Sequence, residues 1–238
     1  MGYVGKKPTA APLTASDVTD GIISNAKLAQ DIISAETALA VAPADTDEFL
    51  LSDAGTLKRI DYSLIKSDPT NVLLSTTNIS SGTANVDITS NIDSTYKIYM
   101  IDLINLHFDT DAVNFNLRFF QSGVIDSSGY DWCYYKARST SSTASLKVGE
   151  NQSIIRMSDS LDNLNESSIN GRLLLFNPSD TTFNTHIRFN ITAQENGDTL
   201  EDASGSGRIE QTEAVDGLRF FMSSGNLDSG IIKLYGVN

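Results

Sequence analysis

The chain has 238 residues, 40% of them hydrophobic, with 17 Lys+Arg against 30 Asp+Glu and a formal net charge of −13 at pH 7. That length allows one or two domains, and the acid excess argues against a nucleic-acid partner, because neutralising phosphates takes a basic face. A single cysteine, Cys133, excludes an intrachain disulfide and a multi-cysteine metal site, and no apolar run approaches the roughly 20 residues that cross a bilayer.

The sequence falls into two unlike parts. Residues 1–66 are rich in Ala, Ser, Thr and Asp and too poor in apolar contacts to build a core; they carry 6 Lys+Arg and 9 Asp+Glu, leaving 11 of the basic and 21 of the acidic groups to the rest. Lys6 and Lys7 have no apolar stretch behind them, so no secretory signal is expected. Gly2 lacks the downstream Ser or Thr of a myristoylation motif, since Lys6 stands there. The expected product is soluble and made in the cytoplasm, reaching the outside by a route such as lysis.

Within 1–66, Pro8 and Pro12 bias their predecessors away from the α region, so this stretch is expected to be extended. Ile22-Ile23-Ser24 returns ten residues later as Ile32-Ile33-Ser34. That period fits a helical stripe of Ile22, Ile23, Leu28, Ile32, Ile33 and Leu39, and equally one face of a strand-built shaft; short helix or mixed trimeric packing is the expectation. Thr14 or Ser16 ahead of Asp17 and Asp20 resembles a helix start. Phe49 to Ile60, with Ala54-Gly55 at its centre, predicts a small hairpin, in which Gly55 supplies the positive φ of a tight turn. An isolated hairpin is marginally stable. The apolar stripe, with Leu51 and Leu57, is therefore expected to bury against copies of the chain or a host structure, the alternative for the hairpin being a small cap on the main domain.

Residues 72–238 read as a mainly β domain. Apolar alternation recurs at Val86 and Ile88, at Tyr96, Ile98 and Met100, at Phe115, Leu117 and Phe119, and on through Leu218, Phe220, Ile232 and Leu234. Turn pairs such as Asn170-Gly171, Asn177-Pro178, Asn196-Gly197 and Asp216-Gly217 punctuate these runs. About ten strands at this spacing predict an antiparallel β-sandwich of jelly-roll type. The polar stretches 139–145 and 196–207 are expected to be surface loops.

Several segments carry a resemblance. Gly217-Leu218-Arg219-Phe220-Phe221, the run Ser224-Gly225-Asn226-Leu227-Asp228-Ser229-Gly230 and Lys233-Leu234-Tyr235-Gly236-Val237 resemble the closing segment of structural proteins of tailed bacteriophages, marine ones especially. Leu174 to Ser179 and Thr181-Thr182-Phe183 resemble another stretch of that β-domain, while Leu51 to Ile60 and 13–33 are similar to arm regions of phage fibre proteins. The resemblance implies a virion structural protein without enzymatic activity or cofactor. Its residues 1–66 would anchor and trimerise, binding other virion proteins, and its β-domain would face a host glycan or protein. Fibre type is preferred over a capsid decoration or head-fibre role. Many fibres carry a larger tail-attachment domain ahead of such an arm. A virion glycan depolymerase and a stand-alone lectin-like module are the competing classes.

Few residues point to chemistry. His107 and His186 are lone histidines in or beside strands, and no Gly-x-Ser-x-Gly elbow occurs. Asp109-Thr110-Asp111 has carboxylate spacing for calcium but falls short of six to eight oxygen ligands, so a solvated turn is expected and no metal site is assigned. On a strand, Trp132, Tyr134, Lys136 and Arg138 share a face suited to a sugar or protein contact, or to a core. Cys133 is read as an inert small filler.

Overall fold

The computed structural model describes residues 14, 16, 37–67 and 69–238. The stripe expected at Ile22, Ile23, Leu28, Ile32 and Ile33, with the helix start before it, lies outside the described residues. The chain divides into two compact units, residues 1–67 and 68–238.

In the first unit β1 (Glu48–Asp53) and β2 (Thr56–Asp61) form the expected hairpin, with Asp53 opposite Thr56 across a two-residue turn. Ala54 and Gly55 both take positive φ, 49° and 87°, the primed-turn geometry whose twist matches that of the strands. Tyr62–Leu64 add a single turn of 3₁₀ helix.

The second unit is antiparallel throughout. Its strands are β3 (Asn71–Ile79), β4 (Val86–Ile88), β5 (Ile98–Phe108), β6 (Val113–Gln121), β7 (Val124–Ile125), β8 (Tyr130–Arg138), β9 (Ser141–Gln152), β10 (Ile155–Leu161), β11 (Ile169–Phe176), β12 (His186–Glu195), β13 (Thr199–Ile209), β14 (Val215–Met222) and β15 (Leu227–Val237). One ladder runs β3-β15-β5-β11-β12-β13-β8-β9 and another β10-β6-β14-β4, with β7 on β6. A single pair, Leu161 opposite Glu195, joins β10 to β12, so the sheet curls over one core. Tyr99, Phe115, Phe119, Tyr130, Phe189 and Phe220 are among the fully buried rings, each removing a large apolar area from water.

Register is marked on the surface by opposite charges. Arg172 lies directly across from Asp102, Arg219 from Asp87 and Arg208 from Asp131, and each pair is hydrogen-bonded. Such cross-strand pairs contribute about 0.2–1 kcal/mol each and disfavour a slipped register.

Both expected surface loops are instead largely strand. Residues 139–140 alone turn between β8 and β9, and 199–209 are β13, paired to β12 and β8 along its length. β13 reads as polar because its neighbours supply the bulk. A Cβ on Gly205 would stand 2.3 Å from Tyr134 Cβ and 2.7 Å from Phe189 Cζ, so only glycine fits beneath those rings.

Candidate functional site

β8 alternates inward and outward, and its inward side chains are Tyr130, Trp132, Tyr134 and Lys136. Trp132 stacks on Tyr134 at 5.8 Å between ring centroids, and Arg156 sits over the indole at 5.5 Å. The side chains expected to meet a ligand are thus turned to the interior: Trp132, Tyr134 and Lys136 are buried and Arg138 is half-buried. A ligand on this strand would meet the opposite face, where Cys133 and Tyr135 are exposed. Cys133 is no core filler; its Sγ lies 3.9 Å from Ser206 Oγ at the surface.

Lys136 is the unusual residue, a lysine whose side chain has no solvent exposure. Such a cation persists only where paired. Its Nζ contacts the Asp159 carboxylate and donates to the Asp159 carbonyl oxygen at 2.8 Å. It also lies 3.0 Å from Glu195 Oε1 and 2.9 Å from Glu201 Oε2. Lys147 reaches Asp159 Oδ2 at 2.9 Å, Arg138 Nη2 donates to Glu195 Oε1 at 2.8 Å, and Ser158 Oγ donates to Glu201 Oε1 at 2.5 Å. Three cations and three carboxyls from β8, β9, β10, β12 and β13 thus meet in one chamber.

The three acids are tuned apart. Burial pushes Asp159 up, but the bonds and charges of Lys136 and Lys147 outweigh it and hold the group below the ordinary value. Burial likewise raises Glu195, and Arg138 with Lys136 brings it down further than burial lifts it. Glu201 is raised, because its burial exceeds what Ser158 and Lys136 return. Burial opposes the Lys136 charge, yet its bonds to Asp159 and Glu201 prevail and raise its pKa. The Tyr134 hydroxyl is pushed far up, by burial first and then by the charges of Asp159 and Glu201. Oxygens of Asp159, Glu195 and Glu201 lie within 4.8 Å of one another, a metal-like spacing, and the Lys136 ammonium takes the position of the cation.

A second feature is an open groove of about 750 Å³, lined by Ser80, Asn105, His107, Glu166, Ser167 and Asp228 among others. Ser167 Oγ is buried in its wall without a hydrogen-bond partner. His107 places Nδ1 2.8 Å from Asp228 Oδ1 and Nε2 3.1 Å from the Leu164 carbonyl, so both ring nitrogens are committed. His186 is exposed at the start of β12. Asp109 and Asp111 turn to different partners: Asp109 accepts from the Asn226 backbone N–H at 2.9 Å and from its Nδ2 at 2.8 Å, and Asp111 accepts from Asn196 Nδ2 at 3.0 Å. Asp109 thus serves as a loop clamp.

The first unit shows the opposite of a site with its own chemistry. Leu39, Leu50, Leu57, Leu64 and Ile65 are exposed, and Leu51 and Ile60 are half-buried. Pairing places Leu50 and Leu57 on one face of the hairpin and Phe49, Leu51 and Ile60 on the other.

Sequence reasoning found Lys136 on its aromatic face but missed Asp159, Glu195 and Glu201. The available signal was alternation: Glu201, Ala203, Gly205 and Gly207 share one strand face, legible only once 196–207 is read as a strand. No protein-family model matches the chain, and no curated protein sequence matches it.

Proposed function

We propose that this chain is a non-enzymatic structural protein of a bacteriophage particle, of fibre type. Its N-terminal residues anchor and trimerise, and its β-domain, a jelly-roll-like sandwich, faces a host receptor. The observation that carries this reading is the hairpin, whose leucines Leu50 and Leu57 are 75% and 69% exposed although the strands are paired and the turn is well formed. A two-stranded unit that buries so little holds its shape poorly by itself, and further copies or another virion protein would supply the missing cover.

The β-domain complements it. Three of its arginines pair across strands and its buried lysine is neutralised within the domain, whereas the groove beside Asn105 offers hydroxyls, amides and two carboxyl groups that suit a host-surface glycan. Weak contacts of this kind gain strength when many copies share one particle. The test is the solution mass of the full chain beside that of residues 67–238. A trimer for the first and a monomer for the second is the expected result; a monomeric full chain overturns the reading.

A further inference from the structure

β8 and β10 share no hydrogen-bond ladder, yet Lys136 of one and Asp159 of the other touch through their side-chain ends. The lysine amine is additionally held by the Asp159 carbonyl oxygen at 2.8 Å, which keeps Nζ beside the residue whose carboxyl it contacts. Glu201, with no solvent exposure, stands 2.9 Å from the same nitrogen, and its other oxygen is fixed by Ser158. Amine, carboxyl and a second buried carboxyl are thus in reacting order in a buried chamber beside Tyr134, where water is scarce.

We propose that Lys136 and Asp159 condense into an intramolecular isopeptide bond, with Glu201 as the catalytic residue that moves the protons. The ion pair of the structure is the reactant. A proton passes from the Lys136 ammonium to the Asp159 carboxylate, exchanging two buried charges for a neutral amine and a neutral acid, an exchange that burial makes less costly than it is in water. The Nζ lone pair attacks Asp159 Cγ, forming the N–C bond and moving the carbonyl electrons onto oxygen. Lys147, 2.9 Å from Oδ2, stabilises the charge that develops there. Glu201 donates its proton to the departing hydroxyl, the C–O bond breaks with its electrons on oxygen, and water leaves. The carboxylate left on Glu201 takes the remaining proton from nitrogen and is restored. The balance is one amine and one acid giving one amide and one water, with no oxidant or co-reactant.

Burial raises the Glu201 pKa, which shifts it towards the proton-carrying form that its role requires. Ionised Lys136 and Asp159 are the favoured forms, so the neutral pair is a minor state and the bond accumulates as a slow single turnover. Held close in fixed orientation, such groups reach effective concentrations no bimolecular amide formation has. The product ties two strands that the sheet leaves unlinked, and this inference stands whether or not the chain assembles into a particle.

The test is the intact mass of the folded full chain after overnight incubation, measured under denaturing conditions. The expected mass is the sequence mass less one water, with a tryptic peptide joining 119–138 to 157–172, because acylated Lys136 no longer admits cleavage. Glu201→Gln, which removes the proton-carrying acid and keeps its size, should fold with an unchanged circular dichroism spectrum and keep the full sequence mass. The unmodified sequence mass in the parent chain overturns the proposal. So does a water loss that maps to Asp216-Gly217 as a cyclic imide, or one that persists in folded Glu201→Gln.

Discussion

Each ring nitrogen of His107 faces an oxygen that carries no hydrogen: a carboxylate of Asp228 on one side and the Leu164 carbonyl on the other. Satisfying both takes two N–H groups, hence the imidazolium. Burial acts against that charge, but the Asp228 and Leu164 bonds prevail and hold the pKa above 6.5. A histidine raised in the folded state contributes stability that is complete below its unfolded value and disappears as pH rises through the folded value. Chemical denaturation between pH 6 and pH 9 should therefore show a loss of about 1 kcal/mol in the parent chain, the scale of one charge-assisted bond. In His107→Gln that pH-dependent step should be missing; an equal slope in both proteins refutes the assignment. Residue-level legibility was uneven here. His107 stood out as a lone histidine, but its partners come from 57 and 121 positions away, and no local pattern names them.

At the scale of elements, β8 shows what alternation can and cannot say. The inward set Trp132, Tyr134 and Lys136 was readable as one face, but which face points inward depends on the strands laid against it. β13 answers that question, and its own text hides it: Gly205 and Gly207 are small because Tyr134, Phe189 and Ile155 occupy the room above them. A strand defined by its neighbours' bulk carries no apolar run, and Ser-Gly repeats mimic a loop. Strands with large inward residues, such as β6 and β14, were legible for the converse reason. Gly205→Val should accordingly overpack the contact with Tyr134 and destabilise the domain by about 3 kcal/mol, read as a fall in the denaturation midpoint. Gly123→Ala, at a turn with nothing within 4 Å of an added Cβ, is strained only by its φ of 73° and should cost about 1 kcal/mol. Equal losses at the two positions would remove the packing argument for β13.

Across the whole molecule, charge and apolar surface are divided between the two units. The β-domain holds most of the acidic excess; Arg172, Arg208 and Arg219 stand in cross-strand pairs, and Lys136, Arg138 and Lys147 meet in the one chamber. The hairpin has its own ion pairs, Arg59 with Glu48 and Lys58 with Asp53, all exposed and worth little. What distinguishes it is therefore apolar. Leu50 and Leu57 lie diagonally on one face, and replacing both by Asp removes two exposed apolar groups without touching the ladder or the turn. If that face is covered in the assembled protein, Leu50→Asp with Leu57→Asp puts two carboxylates where burial costs several kcal/mol each. The proposed trimer should then dissociate, while the β-domain keeps its denaturation midpoint. A variant that remains assembled would mean that this face stays in water in the assembly, and that cohesion comes from other residues of 1–67.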